Sequence, residues 1–434
     1  MKTLKQVLTG NISLLIINVL VINILGIFTL VATKGTDGAI ASTIYKQILF
    51  AIFALGAYYI ISKIDYTYLK QPIVLILLIS ITVIVLAGVL IIGAKLQGAK
   101  RWFVIGSYDE YSVSGVLIQP SEFAKIALII INSAILSLTT KNVLWGKWKN
   151  FLIALFVTIS FAILIFLEPD AGMTILTFAI GIMLILNGFE HPPLLLSTIP
   201  TVLIGSLLYF VVKNGSLNLL IAIMPLAILT IIAIIFLIKR TKIKKLEIVF
   251  VHLIALIIGF LAIVGSIWLW ENKLKTYQKE RITSFVSDEK AFQIRQSQIA
   301  IGSGQFWGKG LGEGTQSKLH FLPEYQTDFV FASFAEQFGF LGSIILLGLY
   351  LVMIVQIMYT SSRINDKFGS LICWGIAIKF TFEIFINIGM NTGLTPATGV
   401  PLPFMSVGGS NLLANYLAIA VVDSVYKTNQ QIIT

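Results

Sequence analysis

The sequence contains little of the chemistry that most metalloproteins and redox proteins rely on: 434 residues include one cysteine and three histidines. The single Cys373 excludes a disulfide framework and a thiolate metal site. The scattered histidines show no zinc-ligand spacing, and no nucleophilic triad is visible, so we predict no protein-held metal. The chain also lacks Gly/Ser-rich linkers and repeats of about 20–50 residues. We therefore predict a single domain, residues 1–434.

Charge is scarce as well, at 12% of residues, whereas 57% are hydrophobic. A chain of this composition needs a bilayer as its solvent. The net charge of +11 comes largely from lysines in short loops, where they set topology and meet anionic headgroups. We therefore predict a multi-pass membrane protein that does not bind nucleic acid.

Twelve apolar windows are long enough to span a membrane and predict an all-α polytopic fold. They lie near residues 11–32, 46–62, 72–94, 121–138, 151–168, 173–189, 194–212, 217–238, 247–270, 329–358, 370–389 and 406–426. The lysine-rich loops favour cytoplasmic N- and C-termini. Residues 271–328 then form a large extracytoplasmic loop before the last three helices. The unusual residues collect on that side of the membrane.

Three pairs of charged residues have both a structural and a functional interpretation. Glu122 and Lys125 share one helix face at membrane level, either as an ion pair or as part of a site. Lys379 and Glu383 predict an intramembrane ion pair, with a proton relay as the alternative. Lys100 and Arg101 lie beside Trp102 at the outer interface. Taken by themselves, they favour a lipid-headgroup anchor over a substrate site.

The remaining clusters adjoin the ends of apolar runs. Glu168-Pro169-Asp170 predicts a tight turn whose carboxylates cap the next helix. Asp328 lies where a glycine-rich polar stretch meets an apolar helix, and serves either as N-cap or as a base. Residues 396–410 predict a re-entrant turn of irregular backbone lined by protein.

Taken together and in order, the motifs KRW, QPSEFAK, EPDAG, QSxIAIGSG, GTQSxLxFLPExxTDFVFA and GxPLPFxSxGGS resemble the SEDS family, the RodA, FtsW and SpoVE proteins, and most closely its RodA branch. The resemblance implies a ten-helix core, so two spans within 194–270 are additional. It also implies a peptidoglycan glycosyltransferase of cell elongation that polymerises lipid II at the outer face of the bacterial cytoplasmic membrane. The implied partners are a class B penicillin-binding protein and other elongation-machinery membrane proteins.

The same resemblance implies roles for individual residues. Asp328 matches the family's essential acid and is the predicted catalytic base of an inverting transfer. The predicted substrate site comprises Lys100, Arg101, Trp102, Glu122, Lys125, Asp170, Gln316 and Ser406. Lys100, Arg101 and Lys125, helped by loop amides or by a divalent cation (Mg²⁺ or Mn²⁺), would stabilise the departing pyrophosphate. The alternatives are a lipid II flippase or other transporter, a non-catalytic scaffold, and a division-type (FtsW-like) member.

The sequence also departs from the family pattern near the predicted base. Tyr325-Gln326 replaces the Arg/His-His that usually precedes Thr-Asp, and Gln305 replaces a usual glycine. The residues that would set the pKa of Asp328 therefore differ from the family pattern.

Overall fold

The computed structural model describes residues 12–33, 38–96, 99–107, 115–138, 145–188, 292–318, 321–322 and 324–433. The chain divides into two compact units, Met1–Gly188 with Ser284–Thr434, and Phe189–Thr283. All described residues belong to the first unit. The spans near 194–212, 217–238 and 247–270 lie outside the described residues, as do residues 271–291, 319–320 and 323 of the loop 271–328. The single domain, the loop and the two-helix insertion stay predictions.

The described part is a bundle of helices, which confirms the predicted polytopic helical fold. The helices are α1 (Ile12–Ala32), α2 (Gly38–Ile61), α3 (Pro72–Ile92), α4 (Pro120–Ser137), α5 (Trp145–Leu167), α6 (Ala171–Gly188), α7 (Phe292–Ser303), α8 (Thr315–Lys318), α9 (Val330–Arg363), α10 (Lys367–Thr392) and α11 (Gly409–Ile433). Among the described residues, eight helices are long and apolar enough to cross a membrane. α11 fills the last predicted window, but it is more polar. The total of twelve spans stays a prediction.

Helix α4 lies at the centre of the bundle, with 89% of its span buried, compared with 11% for α3. Its sequence explains this position, because small and polar residues such as Ser121, Ala124 and Ser133 allow neighbouring helices to approach closely. Pro120 occupies the first turn, where its fixed φ suits a helix start. The Leu- and Ile-rich α3 instead leaves most of its surface to lipid.

A small antiparallel sheet, which the sequence analysis did not predict, connects α3 to α4. Its strands are β1 (Ala94–Leu96), β2 (Ala99–Ile105) and β3 (Val116–Ile118), in that spatial order. Trp102 pairs with Ala94, and Phe103 pairs with Ile118. β1 and β3 have only three residues each and carry too little alternation to be recognised in a sequence. The sheet fixes Lys100, Arg101 and Trp102 on one strand beside the start of α4.

Helix α9 is broken at Gly339, where the backbone adopts φ 66° and ψ −164°. Residues 305–310 insert into the break. The amides of Lys309 and Gly310 donate to the carbonyls of Glu336 and Gln337 at 3.0 and 3.1 Å. On the other side, the amides of residues 340 and 341 donate to the carbonyls of residues 305 and 306 at 2.8 and 3.1 Å. The break therefore leaves these backbone groups satisfied, as a buried helix requires.

Candidate functional site

Asp328 lies just before α9, and its backbone is held by two asparagines of α10. The side-chain amides of Asn387 and Asn391 donate to the Asp328 carbonyl oxygen at 2.9 and 3.0 Å. The N-cap of α9 is Phe329, and Asp328 is the residue before it. The alternative interpretation of Asp328 as the N-cap is therefore wrong. The Asp328 carboxylate is half-buried, and its Oδ2 lies 3.5 Å from where a Cβ would stand on Gly399.

Ser406 holds the neighbouring residue. Its hydroxyl donates to the Thr327 carbonyl at 2.6 Å and accepts the Leu402 amide at 2.7 Å. The main-chain amide of Val407 also donates to the Gln326 carbonyl at 2.9 Å. Ser406, predicted from the resemblance to contact substrate, therefore fixes the backbone that carries Asp328.

The re-entrant loop (residues 396–408) is held by polar side chains from four helices. Asn23 donates to the Phe404 carbonyl at 2.8 Å, and Tyr350 donates to the Pro403 carbonyl at 2.7 Å. Asn387 donates to the Val400 carbonyl at 2.8 Å, and Gln47 to the Ser406 carbonyl at 3.3 Å. This confirms the predicted irregular backbone lined by protein.

The 168–170 turn gathers a second set of predicted site residues. Asp170 accepts the Met173 amide at 3.2 Å, which confirms its capping role. Its Oδ2 lies 3.6 Å from Arg101 Nη1 and 3.4 Å from Gln119 Nε2. Arg101 also donates to the Pro169 carbonyl at 2.5 Å. The positive charge of Arg101 is therefore already neutralised by Asp170.

Glu168 does not cap a helix, unlike Asp170. It is fully buried, and neither carboxylate oxygen has a hydrogen-bond partner. Burial raises the pKa of Glu168 most, the negative Asp170 raises it as well, and Arg101 opposes both, which together give a pKa of about 8. The Glu168 carboxyl is consequently protonated at neutral pH.

Gly172 connects this turn to the environment of Asp328. A Cβ on Gly172 would overlap the carbonyl oxygen of Thr398, so the two backbones are in direct contact. The next residue, Gly399, lies against the Asp328 carboxylate. The structure thus places the turn that carries Asp170 and the Asp328 carboxylate next to adjacent residues of one short loop segment.

Glu122 and Lys125 lie deeper, in a buried ion network formed with Lys379 and Glu383. Lys125 Nζ is 2.9 Å from Glu122 Oε2 and 2.6 Å from Glu383 Oε1. Lys379 Nζ is 2.8 Å from Glu383 Oε2, which confirms the predicted ion pair. The four side chains are at most 1% exposed. Lys125 thus faces carboxylates, and its predicted contact with substrate stays a prediction.

Glu336, which the sequence analysis missed, organises the glycine-rich loop (residues 304–316). This buried carboxylate accepts from Lys309 Nζ at 2.9 Å, Thr315 Oγ1 at 3.2 Å and the Gln316 amide at 3.0 Å. The Gln316 side chain is half-buried, and its substrate role stays a prediction. An ionisable residue inside the apolar window 329–358 was the signal that would have found Glu336.

Lys100 and Trp102 are the remaining two residues of the predicted substrate site. Lys100 Nζ donates to the Ile91 carbonyl at 3.3 Å, and Arg101 Cζ lies 5.8 Å from the centre of the Trp102 ring. Within the part of the chain that the structure describes, no carboxylate pairs with Lys100. Within that same part, no three His, Cys, Asp or Glu side chains are placed to hold a metal ion.

The fold and site together define a polytopic membrane protein with a polar, rigidly held acid at one end of its helix bundle. Comparison with known proteins assigns the family. The family model described as "Cell cycle protein", which represents FtsW, RodA and SpoVE, matches residues 5–246 and 226–431. The chain belongs to this family.

Individual relatives agree with this assignment. The chain is 31% identical to the peptidoglycan glycosyltransferase MrdB of Escherichia coli K12, over 80% of this chain and 76% of that protein. It is 28% identical to the peptidoglycan glycosyltransferase RodA of Treponema pallidum, over 95% and 96%. A chain of a solved peptidoglycan synthase complex that coordinates polymerization and crosslinking has a TM-score of 0.67 and 21% identity, covering 96% of this chain and 98% of that one. At this identity the likeness shows the fold.

Proposed function

We propose that this protein is a peptidoglycan glycosyltransferase that polymerises lipid II into glycan strands at the outer face of the bacterial cytoplasmic membrane. The names of its relatives support the activity. The observation that carries the proposal is the placement of Asp328, a half-buried acid whose backbone is fixed by Asn387, Asn391 and, through Thr327, by Ser406. Such preorganisation is what a general base needs.

The proposed reaction is an inverting transfer. Asp328 accepts the proton of the 4-hydroxyl of the acceptor GlcNAc while that oxygen attacks the anomeric carbon of the donor MurNAc. The bond from this carbon to undecaprenyl pyrophosphate breaks, and the pyrophosphate takes the electron pair. One base suffices, because a single displacement forms no covalent enzyme intermediate.

The departing pyrophosphate needs positive charge, and the structure distinguishes the three predicted cations. Arg101 is paired with Asp170, and Lys125 with two carboxylates. Lys100 is therefore our choice for the direct contact. A divalent cation, Mg²⁺ or Mn²⁺, would supply further charge at the pyrophosphate, and lost activity in EDTA that returns with added cation is its test.

The topology and partners follow from the family and the lysine distribution. We place both termini in the cytoplasm and the Asp328 end of the bundle outside. Because its products need crosslinking, the protein would act with a class B penicillin-binding protein, and we favour a role in elongation with other elongation-machinery proteins over one in division. Complementation of strains depleted of the elongation or the division family member distinguishes the two roles.

Polymerisation of purified lipid II by the reconstituted protein, with its class B partner, tests the activity. Wild type should form glycan strands, whereas Asp328→Asn should form none while keeping its thermal stability. Asp366→Asn is the matched control, since Asp366 caps the start of α10 and asparagine caps equally well. If wild type makes no polymer and instead moves lipid II between leaflets, the flippase alternative replaces ours. If it does neither, the scaffold alternative stands.

A further inference from the structure

One face of α10 carries a continuous row of buried polar side chains. Lys379, Glu383, Asn387 and Asn391 recur at every fourth residue, and none is more than 1% exposed. At about 1.5 Å per residue, the row covers about 18 Å of the helix. We name it the α10 polar row.

The two ends of the row have different partners. Asn387 and Asn391 donate to the carbonyl of Asp328, and Asn387 also donates to that of Val400. One turn from Asn387, Glu383 accepts from Lys125 of α4, and Lys379 donates to Asn415 of α11 at 2.5 Å. The row therefore joins the backbone of the proposed base to two neighbouring helices.

The charges in this region fix the position of α10 along its axis. Glu122 and Glu383 balance Lys125 and Lys379, so the buried ion network has no net charge. An unpaired charge inside a membrane costs several kcal/mol. A shift of α10 in register by one residue combines about 1.5 Å of translation with about 100° of rotation, and would separate Glu383 from Lys125 and turn the asparagines away from Asp328.

We propose that Glu383 and Lys379 are positioning residues for Asp328, which lock α10 against α4 and α11 so that Asn387 and Asn391 hold the base in place. This inference rests on the proposed function. Neither residue contacts Asp328. The asparagine amides reach its carbonyl rather than its carboxylate, and an amide does not titrate, so the α10 polar row transmits position and not protons.

Steady-state polymerisation of lipid II by Glu383→Gln, Glu383→Asp and Lys379→Met, each reconstituted with the class B partner, tests the proposal. Asp423→Asn is the matched control. Asp423 is also a buried carboxylate in an i, i+4 pair, 2.8 Å from Lys427, but its further partner is Tyr58 at the opposite end of the bundle. Thermal midpoints of all variants are measured in the same detergent.

The proposal predicts that Glu383→Gln lowers kcat about 10- to 100-fold with KM within about 3-fold, as a misplaced catalytic group should. Glu383→Asp, which keeps the charge, should recover part of kcat, and Asp423→Asn should keep wild-type kcat despite a similar loss of stability. If Glu383→Gln does not fold, Lys379→Met becomes the test variant, because it leaves the Glu383–Lys125 pair in place. The same loss of kcat is expected for it. If kcat falls only in proportion to the loss of thermal stability, and falls as much in Asp423→Asn, the positioning role is wrong. The proposed function then still stands, because the wild-type enzyme is active. Wild type without polymerase activity overturns the proposed function itself, and the positioning role with it.

Discussion

The hydroxyl oxygen of Ser406 lies 2.6 Å from the carbonyl oxygen of Thr327, although 79 residues separate them in the chain. Because the same hydroxyl accepts the Leu402 amide, one side chain connects the re-entrant loop to the segment that carries Asp328. Ser406→Ala leaves both backbone groups unpaired, at a cost of about 1–3 kcal/mol, and should lower kcat more than it raises KM. Polymerisation kinetics check this, with the exposed Ser362→Ala as control. An unchanged kcat would contradict it.

Lys100→Met should weaken donor binding, since this ammonium is our choice for the contact with pyrophosphate. We expect KM for lipid II to rise about 3- to 10-fold, the effect of about 1 kcal/mol of lost attraction. Lys63→Met, which removes an exposed lysine at the other end of the bundle, should leave KM unchanged. Equal effects of the two substitutions would show that only the general surface charge matters.

Glu336→Gln should loosen the glycine-rich loop, because Lys309 loses its carboxylate partner. The new side-chain amide also brings N–H groups close to the donors of Lys309, Thr315 and Gln316. The expected loss of stability is about 1–3 kcal/mol. The double variant Lys309→Met/Glu336→Gln should recover part of it, since no unpaired ammonium remains. A double-mutant cycle of thermal midpoints measures the coupling, and strictly additive effects would exclude it.

Gln305 adopts φ +50°, in the left-handed region where a side chain costs about 1–2 kcal/mol and glycine does not. Gln305→Gly should therefore raise stability by about 0.5–1 kcal/mol, after the greater freedom of glycine in the unfolded chain is subtracted. Gln305→Ala removes the same side-chain contacts but keeps the strain and should give no gain. Equal thermal midpoints for the two variants would show that φ is not the cause.

Burial raises the pKa of Glu168 to about 8, which gives stability a pH dependence of known sign. Between about pH 4.5 and pH 8 the folded state retains a proton that the unfolded state releases, so stability falls as pH rises through this window. Glu168→Gln cannot ionise and should remove this part of the decline. Its gain in thermal midpoint over wild type should be larger at pH 8.5 than at pH 5. A gain independent of pH would mean that Glu168 is not protonated when folded.

The helices could be predicted from the sequence because apolar length is a strong signal. Nine windows overlap described helices, with ends that differ by up to eight residues. The Lys379–Glu383 pair followed from helical spacing alone. The break at Gly339 could not be predicted, because it depends on residues 305–310 supplying hydrogen bonds from a distant part of the chain. Asn387 and Asn391 were also missed as site residues, since their amides act on a backbone carbonyl that spacing does not reveal. Asp328 itself came from the family resemblance, while local patterning left it divided between cap and base.

The contacts of Asn23 and Gln47 have a consequence for biosynthesis. Their partners in the re-entrant loop, the carbonyls of Phe404 and Ser406, lie 381 and 359 residues later in the chain. During synthesis, α1 and α2 therefore enter the membrane long before the re-entrant loop has been made. Asn23 and Gln47 cannot form these hydrogen bonds until then. The environment of Asp328 is completed only when nearly the whole described chain has been inserted, so a shorter nascent chain contains no partially working site.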